Sequence, residues 1–521
     1  MFLVLFAFPV SLINFLCSPA IFKIIDEIQT FQYISLIEET GKIAQPNIVF
    51  EVARYYPGLS ILTVIINNIA DPTNKIMFDK IVSVLIHVSI VPIMYCLFKK
   101  LASVNIAAVA SFLYIVHPLF TLFDSRLSYQ TLGVILFILA FYCLFKSNWQ
   151  WSFSLLAITT LLALVVTHHW SSYMFIIIIF CLVLVNLFLI KKISYINFLI
   201  LSLVFVLAWI IYNAAITIKY FEGHFIKAFT EITKLLIRET PPKELMKVPL
   251  PFYEIIVSKY LYIPTLLSLF LAGIYTYWKR RNYDIFTSGL ALFSLIFWAT
   301  LPLTLTSDSG RFATRTWSFT YFGLALVCSY GIQIMNKTLK NISIKGHRIK
   351  LNKISAISIL LLLMMGGIII GQNPWTRVPT NPNMPSFSTG PTAITESSLK
   401  AAGWTEFNAG RFNNFIGDLT VKFTIGAYGF QNVEVYGKPG EIFLGNSLSD
   451  EQLRIIKGFD YIGVNYLLTR VPIFEGDVKD SRLSKIIGAN KLPESYLKKF
   501  DHVNFLYNIY DNGRLGIYKI I

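Results

Sequence analysis

Two adjacent carboxylates, Asp26-Glu27, follow the first apolar stretch of the chain. A carboxylate placed there can act as a general base, taking the proton from a hydroxyl that attacks the anomeric carbon of a sugar. It can equally be the acidic start of a helix, which the helix dipole favours. Further on, Thr167-His168-His169-Trp170 puts two imidazoles in one short turn. Such a pair can bind a phosphate or a metal, or simply make a polar hairpin between helices. Ser307-Asp-Ser-Gly-Arg311, followed by Arg315, sets two guanidinium groups one helical turn apart. Their forks suit bidentate contacts to phosphate oxygens; the alternative is an arginine snorkelling at a helix end. Asp124, Arg126, Arg54 and Asp308 complete the ionisable set. The sequence has no Walker loop, GxSxG, HExxH or dinucleotide fingerprint.

Composition says what must hold these residues in place. Of 521 residues 55% are hydrophobic and only 14% charged, and the mean hydropathy is +0.60. Soluble domains carry about 25% charged residues, so a polytopic α-helical membrane protein is expected. Apolar blocks near 2–22, 81–98, 103–123, 129–145, 151–167, 170–190, 195–217, 259–277, 285–305, 316–335 and 354–371 predict about 11 transmembrane helices. The first block has no basic leader and no small-residue cleavage site, so it reads as an uncleaved span.

The net charge of +16 is a matter of topology. One set of alternate loops carries 14 basic residues, among them Lys99, Lys100, Lys191, Arg280 and Arg348, opposed only by Asp284. The intervening loops hold 15 basic and 14 acidic residues, and the segment after residue 371 holds 16 and 14. Lys and Arg concentrate in short loops on the cytosolic side. A cytosolic N-terminus therefore follows, with the acidic pair, the histidine turn, Arg311, Arg315 and the C-terminal segment all on the outer face. The expected location is a cell membrane, crossed many times. Nucleic acid is excluded as a partner, because no soluble face collects the charge. The basic stretch 336–353 is expected to meet anionic head groups. All five cysteines lie in apolar spans, so the outer domain is held by packing without disulfides.

The outer loop 23–80 carries two amphipathic stretches, Glu27 to Ile43 and Gly58 to Ala70, the second opening just after Pro57. Both are expected to lie along the membrane interface. A second outer loop, 218–258, combines a helical run (Phe221 to Arg238) with four prolines and reads as a flap. Residues 1–371 thus form a transmembrane domain and 372–391 a Pro- and Asn-rich linker. Residues 392–521 form a C-terminal extracytosolic mixed α/β domain. There, EIFLGN and YIGVNYLLTR read as strands, SDEQLRIIKGF as a capped helix, and Asn512-Gly513 as a type I′ hairpin turn. Trp170, Trp317 and Trp375 fit an aromatic belt.

Taken in order, the first third of the chain resembles the GT-C glycosyltransferases, such as protein O-mannosyltransferases and the aminoarabinose transferases of lipid A. The resemblance rests on the acidic pair after span one, a helix ending in Glu39-Thr-Gly-Lys-Ile, and then Tyr55-Tyr-Pro-Gly before a second helix. It continues through Phe98-Lys-Lys-Leu, His117-Pro-Leu-Phe, Asp124-Ser-Arg126 and Tyr129-Gln130. It implies a GT-C-like arrangement over 1–371 and a polyprenyl-phosphate sugar donor used at the outer face, generally with inversion. Asp26 matches the family's base, Glu27 the neighbour that shapes the acceptor site, and Arg126 a basic residue near the carrier phosphate. Tyr56, His168, His169, Arg311 and Arg315 join Arg126 as expected substrate-binding residues. Two positions depart from the pattern. Gly58 stands where a second proline is usual, and Gln130 where a glutamate often follows the tyrosine. The Asp-x-Asp of loop one and the WWDYG motif that mark oligosaccharyltransferases are missing from the sequence.

The expected function is transfer of a sugar from a polyprenyl-phosphate-linked donor to a glycan, lipid or protein acceptor, with membrane lipids as the surroundings. A lipid-linked glycan polymerase or ligase would keep its large outer loop between spans. A transporter would show inverted repeats and midplane charges. A non-enzymatic assembly protein would pair its outer charges separately. No cofactor can be named; a divalent cation is not indicated by the sequence.

Overall fold

The structure is a computed structural model describing residues 1–16, 21–22, 25–43, 51–147, 150–192, 194–237, 252–279, 284–305, 308–340, 351–371, 394, 396–435, 442–443, 446–466 and 494–521. The chain divides into two compact units: Met1–Pro19 with Tyr55–Pro374, and Ala20–Arg54 with Trp375–Ile521.

The first unit is helical. It comprises α1 (Phe2–Leu16), α3 (Gly58–Ala70), α4 (Lys75–Leu101), α5 (Val104–Ile115), the short α6 (Pro118–Leu122), α7 (Tyr129–Ser147), α8 (Trp151–Thr167), α9 (His169–Val185), α10 (Ile196–Tyr212) and α11 (Ile216–Leu236). The one-turn α12 (Phe252–Ile255) runs through a π-helical stretch into α13 (Ile263–Lys279). The last helices are α14 (Ile285–Thr300), α15 (Asp308–Lys340) and α16 (Leu351–Gly371). Each of the eleven apolar blocks overlaps a helix over its described residues, and the block 103–123 is divided between α5 and α6. Among the described residues six are long and apolar enough to cross a membrane: Lys75–Leu101, Tyr129–Ser147, His169–Leu189, Phe252–Lys279, Ile285–Thr304 and Phe312–Met335. The other five blocks form apolar helices of 10–17 residues.

α15 is the centre of this unit, packing against α5, α11, α13, α14 and α16. Small residues allow the close approach. A Cβ added at Gly273 of α13 would collide with the Val327 carbonyl of α15, and one at Gly331 with the Leu269 carbonyl. Aromatic rings fill the gaps between helices. Phe137 of α7 meets Phe319 of α15 edge-on at 5.1 Å, and Phe98 of α4 stacks on Phe322 at 5.0 Å. Trp317 belongs to this interior. It is buried against Phe297, with its indole N–H donating to Thr300 Oγ1 at 3.3 Å, so it is a core residue and not part of an aromatic belt. Trp375 lies outside the described residues.

The second unit joins α2 (Ile25–Thr40) to the C-terminal segment. The amphipathic reading of α2 predicted one exposed face; instead every residue from Glu27 to Ile37 is buried. The C-terminal part is a five-stranded mixed sheet in the order β2-β1-β3-β5-β4. Its strands are β1 (Asn414–Ile416), β2 (Asn432–Glu434), β3 (Tyr461–Asn465), β4 (Leu506–Asp511) and β5 (Leu515–Ile520). β1 runs parallel to β2 and β3, while β5 pairs antiparallel with β3 and β4. Helix α17 (Glu396–Ala409) precedes β1, and α18 (Asp450–Ile456) opens on a capping box between Ser449 and Gln452.

Three local readings change. Of EIFLGN, Ile442–Phe443 form a turn and Asn446 a bend, and none of these described residues is in a strand. YIGVNYLLTR is a strand only over Tyr461–Asn465, with Tyr466 in a turn and the rest outside the described residues. The β4–β5 hairpin closes over Asn512–Arg514, and only Gly513 has a left-handed backbone (φ 75). The Asn512 side-chain carbonyl accepts from the N–H groups of Arg514 and Leu515, which supports the turn without the two positive φ angles of type I′. The expected linker 372–391 and residues 238–251 of the flap lie outside the described residues; the helical run of that loop is α11.

Candidate active site

In the helical unit, the histidine turn is built by the junction of α8 and α9. His168 caps α9: its Nδ1 accepts from the Ser171 N–H at 3.3 Å and shares a 2.7 Å hydrogen bond with Ser171 Oγ. Burial, with His169 and Arg315 beside it, holds the His168 imidazole well below its ordinary range. A neutral His168 can exchange hydrogen bonds with a ligand but adds no positive charge. His169 is wedged edge-on between Tyr56, 5.0 Å away, and Phe221 of α11, 4.9 Å away. The Tyr56 hydroxyl shares a hydrogen bond with Thr217 Oγ1 at 3.3 Å. Trp170 packs with Phe221 and Phe312, inside the same aromatic cluster.

Arg315, on α15, brings cationic charge to this cluster. Its guanidinium lies over the Phe123 ring, 5.2 Å from the centroid. Phe123 opens the turn that carries Asp124 and Arg126. Arg126 is buried, and its carbonyl accepts from Thr131 Oγ1 at 2.5 Å. Asp124 is fully buried. Its Oδ1 accepts from Ser318 Oγ and from Gln130 Nε2, each at 3.0 Å, and His117 Nε2 stands 4.0 Å from Oδ2. Burial pushes the Asp124 carboxyl up to about 7, against the pull of those two hydrogen bonds. The structure thus brings Tyr56, His168, His169, Arg315 and the Phe123–Arg126 turn together. Arg311 sits one turn before Arg315 on α15, and its side chain lies outside the described residues.

Asp26 and Glu27 belong to the second unit, in the first turn of α2. Gln29 Nε2 donates to Asp26 Oδ1 at 3.3 Å, and Glu27 is buried. The approach to this turn is clamped by Tyr428. Its hydroxyl accepts from the Phe22 N–H at 3.0 Å and donates to the Phe22 carbonyl at 3.3 Å, while its ring packs on Phe31. At the far end of α2, Glu39 and Glu406 both pair with Arg411, whose guanidinium covers the Phe430 ring. Among the described residues no group of three or more His, Cys, Asp or Glu is arranged to hold a metal ion.

No family model matches this sequence, and no curated protein does. Solved structures do match. An oligosaccharyltransferase of Archaeoglobus fulgidus aligns over 100% of this chain and 74% of its own, at 12% identity and a TM-score of 0.58. ArnT of Cupriavidus metallidurans, solved bound to undecaprenyl phosphate, aligns over 99% of this chain and 97% of its own, at 8% identity and a TM-score of 0.54. The arabinofuranosyltransferase AftD of Mycobacteria aligns over 99% of this chain and 41% of its own, at 12% identity and 0.54. This is the GT-C fold.

Within the GT-C fold both departures from the expected motif have a local reason. A Cβ at Gly58 would strike Thr167, the last residue of α8, so a bulkier residue there would push α3 off α8. Gln130 supplies an amide donor to Asp124, where a glutamate would set a second acid beside a buried carboxylate. The sequence reading missed Ser318, Thr217 and Tyr428. Each joins a segment more than a hundred residues away, and no local pattern marks such a partner.

Proposed function

We propose that this chain is a membrane glycosyltransferase that moves a sugar from a polyprenyl-phosphate-linked donor to an acceptor on the outer face of the membrane. The observation that carries the reading is the GT-C fold over nearly the whole chain, matching almost all of a structure solved with undecaprenyl phosphate. All eleven apolar helices span the bilayer in this reading, leaving the N-terminus in the cytosol and the C-terminal α/β domain outside. The charge asymmetry between alternate loops supports that topology.

Asp26 acts as base and takes the proton of the acceptor hydroxyl. The resulting oxygen attacks the anomeric carbon from the face opposite the leaving group. The bond from that carbon to the phosphate oxygen breaks, and polyprenyl phosphate departs with the electron pair, so the anomeric centre inverts. Glu27 shapes the acceptor side. Arg126, Arg311 and Arg315 hold the departing phosphate, with His168, His169 and Tyr56 lining the same region. Fixed positive charge around a phosphate that gains charge as the bond breaks lowers the barrier more than it aids ground-state binding.

The experiment is transfer of radiolabelled sugar from synthetic polyprenyl-phosphate donors by the purified full chain. Asp26→Asn is expected to lower kcat by about 10²-fold or more. Full activity in that variant would remove Asp26 as base. Wild-type inactivity across the donor panel would overturn the donor class.

A further inference from the structure

Between Glu27 and Ile37 α2 is buried throughout, yet it carries Gln29, Thr30, Gln32 and Ser35. Three of these have partners on their own helix. Gln29 donates to Asp26 Oδ1 at 3.3 Å, Thr30 Oγ1 to the Asp26 carbonyl at 2.7 Å, and Ser35 Oγ to the Phe31 carbonyl at 3.1 Å. Gln32 differs. It is 0% exposed, and among the described residues neither its Nε2 nor its Oε1 has a hydrogen-bond partner. A buried amide with both ends unsatisfied is costly, so its presence calls for a partner beyond the chain's own hydrogen bonds, whether water, ion or ligand. Helical periodicity makes Gln29 a neighbour of both Asp26 and Gln32, each three residues away, while Gln32 itself sits about 120° around the helix from Asp26. Gln32 stands about 9 Å along the axis from Asp26. Phe31, on another flank, packs against Tyr428 and Phe22.

We propose that the Gln32 carboxamide binds a pair of adjacent hydroxyls on a glycosyl group, one helical step beyond Gln29, which itself bonds Asp26. A carboxamide presents an acceptor and two donors in one plane. A vicinal diol offers one O–H to the carbonyl and one lone pair to the NH₂, satisfying both ends at once. A phosphate or carboxylate would accept from the NH₂ and leave the carbonyl oxygen bare, and an ammonium group would do the reverse. Gln32 is thus a specificity-determining residue for the proposed sugar transfer, and the inference rests on that reading. The diol belongs either to the donor sugar or to an acceptor glycan.

The test compares wild type with Gln32→Met, which keeps the volume and removes the amide, in purified full-length protein. Because no internal hydrogen bond is lost, the thermal midpoint of Gln32→Met should match or exceed that of wild type, while kcat/KM falls by about tenfold or more. One arm uses farnesyl-phosphate glucose, mannose and galactose with their 2-, 3- and 4-deoxy analogues as donors. The other uses methyl glycosides and their deoxy analogues as acceptors. Wild type should discriminate against one deoxy analogue, and Gln32→Met should lose that discrimination; the arm in which this happens identifies the source of the diol. The inference is overturned if Gln32→Met transfers as well as wild type, if it penalises parent and deoxy substrates equally in both arms, or if its activity loss only tracks a lowered midpoint. An active wild type with any of these results sinks this inference alone, whereas a wild type inactive with every donor sinks the sugar-transfer reading along with it.

Discussion

Ser318 Oγ, on α15, donates to Asp124 Oδ1 at 3.0 Å, joining a loop turn to a helix 194 residues away. Both residues are buried, so the bond replaces water that neither can reach. Ser318→Ala removes one of the two donors to a buried carboxyl and should cost about 1–3 kcal/mol, read as a lower thermal midpoint in detergent. An unchanged midpoint would mean that the bond contributes nothing net.

The raised Asp124 carboxyl makes stability depend on pH. The folded protein holds this proton more tightly than the unfolded chain does, so its contribution is greatest below about 3.8 and erodes as pH rises through about 7. Asp124→Asn keeps the oxygen acceptor for Ser318 and Gln130 and cannot titrate. Between pH 5 and 8 the midpoint of wild type should therefore fall more than that of Asp124→Asn, with parallel curves above that range. Parallel curves throughout would show that Asp124 keeps an ordinary titration.

Gly58→Ala tests how closely α3 approaches α8. The added methyl meets Thr167 and should destabilise the protein by about 1–3 kcal/mol. Thr167→Ala removes the nearest atom of the clash, so the double variant should recover part of the loss. Strict additivity of the two changes would place the conflict elsewhere.

Arg315 is expected to matter through its fork as well as its charge. Arg315→Ala should lower kcat with a polyprenyl-phosphate donor by about tenfold or more, with a smaller rise in KM. Arg315→Lys should restore little of the loss, since an ammonium cannot reproduce the planar guanidinium lying over Phe123. Full rescue by lysine would reduce the role of Arg315 to a point charge.

Tyr428→Phe leaves the backbone N–H and C=O of Phe22 without the hydroxyl that serves both. A cost of about 1–3 kcal/mol is expected, together with a fall in kcat as the approach to Asp26 loosens. The donor KM should stay near wild type, because Phe22 and Phe31, the partners described for Tyr428, belong with it to the second unit. A raised donor KM with unchanged kcat would contradict this.

The sequence by itself determined the helical segments of this protein. A bilayer demands long apolar runs, and such runs stay visible without any tertiary contact. Short-range chemistry was equally legible: Pro57 before α3, and a Ser or Asp cap on α18, which the structure assigns to Ser449, act within a few residues. The resemblance of the acidic pair, the Tyr55-Tyr-Pro-Gly motif and His117-Pro-Leu-Phe to the GT-C glycosyltransferases was also readable from their order along the chain. Local signals misled where tertiary packing set the answer. Trp317 reads as a belt residue and is core, and the patterning of α2 hides its burial on every side. Only the tertiary structure decided that residues 20–54 pack with the C-terminal segment, that Arg315 reaches the Phe123–Arg126 turn, and that Ser318 serves Asp124. Helix propensity and periodicity act over about one turn of chain, whereas these pairings follow from which helices lie side by side, and no stretch of sequence around either partner records that.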